Sequence, residues 1–181
     1  SFMHNNFSNI YYFIDKLNKE HIKKLNKKII IIFRNYQKIP NINEIIKIRN
    51  FCKKTGHKFI IAKFAEIAFK LKLDGFYIPA FYKKFDFKKY IKRKNFIVIG
   101  SAHNLKEIRI KEKQGVQQIF LSPLFKTKKT KKSLGVIKFN YLAMQTKKQI
   151  IALGGINKKN INKINVIRSY GFASISYINE I

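Results

Sequence analysis

At 181 residues the chain has room for one well-packed domain, taken as 1–181. Its formal net charge of +30 gives a field that attracts phosphorylated ligands, nucleic acid or anionic lipid. A single cysteine excludes an internal disulfide framework, and no apolar run reaches the ~18 residues of a membrane-spanning helix.

Short apolar runs alternate with polar, helix-like stretches along the whole chain. Ile10 to Ile14 is the first run, followed by a short helix over about Asn18 to Lys27. Ile29 to Phe33 is the second, and Asn41 to Lys54 places Ile42, Ile45, Ile46 and Ile48 at helical spacing. Phe59 to Ala62, a helix over Ala65 to Leu71, Phe76 to Ile78 and a helix over Phe85 to Lys94 come next. Phe96 to Gly100 is followed by Asn104 with Glu107 three residues on, a partial capping box opening a helix over Leu105 to Gln114. Ile119 to Ser122, a helix over Phe139 to Lys147, Ile150 to Gly154, a helix over Lys158 to Arg168 and Phe172 to Ile178 complete the series. Gly56, Gly115 and Gly171 stand just past helical patterns, as left-handed C′ residues would. Cys52 reads as a thiol packed on a helix.

Most runs lack polar-apolar alternation, which suits strands covered on both faces of a parallel sheet. Eight strands with helices between them predict an α/β fold, a small (β/α)8 TIM barrel. Little chain follows Ile178, so the final helix is expected to be short or missing.

Functional groups of such a barrel stand at the C-terminal strand ends. Gly154 and Gly155 end the seventh run, where the backbone can approach an anion closely. The sixth run leads into a loop of lysines and hydroxyls, with Thr127, Thr130 and Lys131, read either as a diphosphate clamp or as a solvated lysine loop. Arg34 follows the second run as a planar donor fork. Ser174 and Ser176 lie in the eighth run, Ser176 nearer its end. His103 at the fifth strand's mouth can serve as an acid or base, or as a neighbour of the helix cap. His4, His21, His57 and Cys52 show no metal-ligand spacing, so no zinc site is expected.

These segments together resemble the thiamine phosphate synthase and TenI-like family. The match runs from about Ile10 to Ile178. It is best over Ile99-Gly100-Ser101-Ala102-His103, Ser122-Pro123-Leu124-Phe125-Lys126-Thr127, Ile151-Ala152-Leu153-Gly154-Gly155-Ile156 and Gly171-Phe172-Ala173-Ser174-Ile175-Ser176. The resemblance implies joining of hydroxymethylpyrimidine diphosphate to thiazole phosphate, with release of pyrophosphate. It implies a catalytic set of Arg34, Ser101 and Lys131. Lys63, His103, Thr127, Thr130, Gly154, Gly155 and Ser176 would bind the phosphorylated substrates.

The resemblance also implies Mg2+, but the expected carboxylates are absent. The third run ends in Ala62-Lys63 where the family has an Asn-Asp pair, and Pro79-Ala80-Phe81-Tyr82 replaces the stretch that carries a further aspartate. Asp86 stands four residues too late for that role, and Ile32 and Tyr36 replace a Gln and a Lys that flank the Arg. No protein metal ligands are therefore assigned. Pro123 stands where the tautomerase subgroup has its histidine. A catalytically inactive relative that binds a thiazole or thiamine phosphate is the alternative. A basic nucleic-acid module is the second alternative. Its lysines are scattered with an excess of Ile and Asn, which reads as compositional drift rather than a nucleic-acid surface. Ser1-Phe2-Met3 has no signal-peptide layout, and a cytoplasmic setting with no membrane partner is expected. The sequence sets no oligomeric state.

Overall fold

Residues with branched or aromatic side chains on both faces make strands that must be covered on both sides. A computed structural model describes residues 9–181; residues 1–8, with His4 among them, and the Lys88 side chain lie outside the described part. Its elements alternate: β1 (Asn9–Ile14), α1 (Lys19–Lys24), β2 (Ile29–Phe33), α2 (Ile42–Thr55), β3 (Phe59–Ala62), α3 (Ala65–Lys70), β4 (Gly75–Ile78), α4 (Lys88–Ile91), β5 (Ile97–Ala102), α5 (Leu105–Lys113), β6 (Gln118–Leu121), α6 (Gly135–Met144), β7 (Gln149–Leu153), a 3-10 turn (Ile161–Val166), β8 (Gly171–Ala173) and α7 (Ser176–Asn179). The strands close in sequence order into a parallel barrel. The expected (β/α)8 barrel with a short final helix is what forms. No described helix is long and apolar enough to cross a membrane.

Strand geometry sorts the apolar residues into two layers. Tyr11, Phe13, Ile32, Ile60, Tyr77, Ile99, Phe120 and Ile151 fill the barrel interior. Their neighbours in sequence, such as Tyr12, Ile31, Ile61, Phe76, Val98 and Ile150, pack outward with the helices. Rings from β1, β4 and β6, which are not adjacent strands, meet across the axis. Tyr11–Phe120, Phe13–Tyr77 and Tyr77–Phe120 stand edge-on at centroid separations of 4.8, 5.6 and 5.3 Å. Each such pair adds about 0.5–1.5 kcal/mol beyond the area it buries.

Several boundaries differ from the sequence reading. The eighth run is a strand only to Ala173. The buried Ser174 hydroxyl donates to the Ile156 carbonyl at 2.8 Å and accepts the Tyr177 N–H at 3.0 Å, so it turns the chain towards α7 instead of continuing the ladder. Ser176 therefore begins a helical turn and does not sit at a strand end. The stretch read as a helix over Lys158 to Arg168 contains a 3-10 turn. Its buried Ile161, Ile164 and Ile167 recur every third residue, the period at which 3-10 side chains eclipse. α6 starts earlier than expected and α4 is shorter. Gly56 and Gly115 take the left-handed conformation, but Gly171 opens β8. A Cβ there would lie 1.7 Å from the Asn9 carbonyl oxygen, so barrel closure demands glycine.

Candidate functional site

The C-terminal ends of β7 and β8 are built from backbone. β7 and β8 pair up to Leu153 and Ala173, so the segments that follow leave the barrel side by side. Gly154 and Gly155 turn there with φ of +104° and +68°. The Asn160 side chain holds the turn by donating to the Gly155 carbonyl at 2.7 Å, and its Oδ1 accepts the Asn157 N–H at 2.9 Å. A Cβ on Gly155 would lie 2.4 Å from the Lys126 carbonyl oxygen. The N–H groups of Gly155, Ile156, Ile175 and Ser176 donate to no acceptor among the described residues. Gly155 is half-buried and Ser176 exposed, so both are open to a ligand. Unpaired amides grouped in this way suit an anion.

The loop after β6 is stitched to that turn. Leu124 N–H donates to the Leu153 carbonyl at 2.8 Å and Phe125 N–H to the Gly154 carbonyl at 3.0 Å. Leu134 and Gly135 donate back to Pro123 and Leu124 and close the loop's base. Within it the Thr127 and Thr130 hydroxyls lie 2.6 Å apart, and Thr130 N–H donates to Thr127 Oγ1 at 2.9 Å. The loop is thus a hydrogen-bonded turn carrying lysines, with Lys131 exposed beside it.

The ends of β2 to β5 are built from side chains. The Arg34 amide continues the sheet by donating to the Ile14 carbonyl at 2.8 Å. Its guanidinium lies over the Phe13 ring, 3.9 Å from the centroid. Tyr77 points inward from β4, where Ser101 and Arg34 lie close enough to influence its hydroxyl. Burial pushes the Tyr77 phenol's pKa up, and those two groups pull it partly back. Tyr36 packs edge-on against Phe81 at 5.4 Å; burial raises its pKa, Tyr77 adds to the rise and Arg34 opposes it. Arg34, Ser101, Tyr77 and Tyr36 therefore form one cluster. Tyr77 is absent from the sequence candidates, because an aromatic in the run Phe76-Tyr77-Ile78 reads as core. Only its inward register and its partners single it out.

Lys63 follows β3 with φ of +75°, its N–H donating to the Tyr77 carbonyl at 2.9 Å. His103 is exposed, with Nδ1 2.9 Å from Glu107 Oε2. The same carboxylate accepts the His103 N–H at 2.7 Å, while Asn104 Oδ1 accepts the Glu107 N–H at 3.0 Å. His103 thus has the cap-neighbour geometry. A buried pair from α5 supports the loop after β4. Lys111 Nζ donates to the Tyr82 carbonyl and to Gln114 Oε1, both at 2.8 Å, and Gln114 donates to the carbonyls of Tyr82 and Lys84.

The side chains at this mouth build no all-protein cage for magnesium, an ion more often held by one or two carboxylates together with substrate phosphates. Asp86 accepts from the Tyr82 hydroxyl, Glu107 is engaged by His103, and Asp15 follows β1, the strand that pairs with β2, at the same mouth without an ion pair to Arg34. Among the described residues no three His, Cys, Asp or Glu side chains gather in metal-binding geometry.

Sequence comparisons with known proteins agree on one family, while the fold is shared with solved structures of several differently named proteins. Residues 18–181 match the family described as thiamine monophosphate synthase. A thiamine-phosphate synthase of Prochlorococcus marinus strain SARG is 32% identical over 142 residues, covering 77% of this chain and 40% of that relative. A protein of Aquifex aeolicus named putative thiamine-phosphate synthase 2 is 30% identical over 169 residues, 89% of each chain. The solved thiamine phosphate pyrophosphorylase of Pyrococcus furiosus superposes with a TM-score of 0.74 at 20% identity, covering 96% of this chain and 87% of that one, a likeness of fold. The chain spans about 40% of the lengths of the Prochlorococcus relatives it matches.

Proposed function

We propose a synthase chemistry from one premise: this chain belongs to the thiamine monophosphate synthase family. In the proposed reaction the bond from the pyrimidine methylene carbon to the diphosphate oxygen breaks. Pyrophosphate leaves with the electron pair, and the thiazole nitrogen forms the new C–N bond. The protein's task is to hold both substrates and to stabilise the departing charge. The reading treats 1–181 as one such domain, in a cytoplasmic setting.

The observation that carries this reading is the set of unpaired amides on Gly155, Ile156, Ile175 and Ser176, where two neighbouring strands end. They suit the thiazole phosphate, with Gly154 shaping the turn. Arg34 would hold the diphosphate with the help of Thr127, Thr130 and Lys131 from the loop after β6. Lys63 would add charge from the end of β3. Ser101 and His103, at the end of β5, would face the pyrimidine. Arg34 and Ser101 would act side by side, each influencing the Tyr77 hydroxyl between them.

Turnover with both substrates, with and without magnesium, tests the activity. Formation of thiamine phosphate supports the synthase. Thiazole phosphate binding without product in any condition favours an inactive binding relative, a reading that the replaced carboxylates support.

A further inference from the structure

We propose that the mouth formed by the ends of β2 and β3 takes its diphosphate as a free anion, neutralised by Arg34 and Lys63, rather than as a magnesium complex. The inference deepens the synthase reading and rests on it for the choice of a diphosphate.

The charges around this mouth are unbalanced. The described residues form two ion pairs, His103–Glu107 and Arg109–Glu112, both on or beside α5. Among the described residues neither Arg34 nor Lys63 forms an ion pair with an acidic side chain. Arg34 is half-buried over Phe13, where water screens its charge less than at the surface. An unpaired charge in such a place loses hydration, and an incoming anion restores what was lost.

Lys63 has a second peculiarity. Its φ of +75° is uncommon for a residue with a side chain and costs of order 1–3 kcal/mol. The hydrogen bond from its N–H to the Tyr77 carbonyl fastens this conformation beside the cluster of Tyr77, Arg34 and Ser101. The half-buried chain carries its ammonium 5.5 Å from the Phe64 ring centroid. A strained cation held at a strand mouth, with no carboxylate to pair with, would repel a divalent cation and attract a phosphoryl oxygen. Asp15, Asp86 and Glu107 do not supply a competing metal cage.

Calorimetric titration of the whole chain with inorganic pyrophosphate at 0.15 M salt, first with a chelator and then with excess magnesium, tests this. Binding should be measurable in chelator and weaken about 10-fold when magnesium complexes the ligand, a change equivalent to one charge-assisted hydrogen bond. Lys63→Ala should lose about 10-fold in chelator on the same grounds, whereas Lys23→Ala, on the exposed face of α1, should match the parent. Lys63→Asp should bind only when magnesium is present. Pyrophosphate binding that needs magnesium, or equal losses in Lys63→Ala and Lys23→Ala, would overturn the proposal. The titration is independent of turnover: metal-free binding without product removes the synthase and keeps this inference, and magnesium-dependent binding with product does the reverse.

Discussion

The two halves of the barrel mouth are made of different material. At the ends of β7 and β8 the groups proposed to hold an anion are main-chain amides, shaped by Gly154 and Gly155 and tied by Asn160. At the ends of β2 to β5 they are side chains: Arg34, Lys63, Tyr77 and Ser101. A backbone site tolerates substitution around it as long as the turn forms. A side-chain site changes its chemistry with each replacement.

The sharpest way to break the contrast is Gly155→Val. The new Cβ would meet the Lys126 carbonyl at 2.4 Å, at a φ that a branched residue avoids. Strain alone is worth about 1–3 kcal/mol. Since several amides would lose their aim at a charged ligand together, thiazole phosphate affinity should fall about 100-fold or more. Calorimetry and a thermal melt read the two effects separately. An unchanged affinity would show that these amides bind nothing.

Arg34→Ala attacks the other half. Losing charged hydrogen bonds of about 1.5–3 kcal/mol should weaken diphosphate binding about 10- to 100-fold and leave thiazole phosphate binding as it was. Arg34→Lys should recover only part, because an ammonium cannot reproduce the planar fork lying over Phe13. A loss of both ligands together would mean the halves are coupled.

The barrel was legible in the sequence because both faces of its strands are apolar. Ile29 to Phe33 and Phe59 to Ala62 carry their boundaries in composition alone, and both form as strands over those residues. The end of β8 was not legible, because it is fixed by Ser174 reaching Ile156, a contact between distant parts of the chain. The same split runs through the site. Gly154 and Gly155 could be picked out because the required turn excludes other residues. Tyr77 could not, since its distinction comes from pairing register and from Arg34 arriving from another strand.

Lys111 sharpens the contrast at a smaller scale. It is fully buried and supports the loop after β4 with Gln114. Burial lowers its pKa to about 8, with Glu107 opposing the shift. The ammonium is disfavoured in the fold relative to the unfolded chain, whose lysine pKa is about 10.4. Between these values the unfolded state binds more protons, so this group's contribution to stability rises from pH 8 towards pH 10. Lys111→Met removes the titration and leaves the Gln114 amide oxygen without its donor. The parent's stability relative to that variant, from denaturant melts, should grow by about 1–3 kcal/mol across the window. A constant difference would mean that Lys111 keeps an ordinary pKa in the fold.

The smallest expected effect separates two serines that look alike in the sequence. Ser174 is buried and makes two hydrogen bonds that join the segment after β7 to α7; Ser176 is exposed and offers its N–H to solvent. Ser174→Ala should cost about 1 kcal/mol or more of stability, as for lost buried hydrogen bonds. Ser176→Ala keeps the amide, so stability should change by less than about 0.5 kcal/mol. Thiazole phosphate affinity should also stay within about 3-fold of the parent, as the loss of one neutral hydrogen bond allows. A larger affinity loss in Ser176→Ala would move the phosphate contact from the main chain to the hydroxyl, and the second half of the mouth would then be a side-chain site like the first.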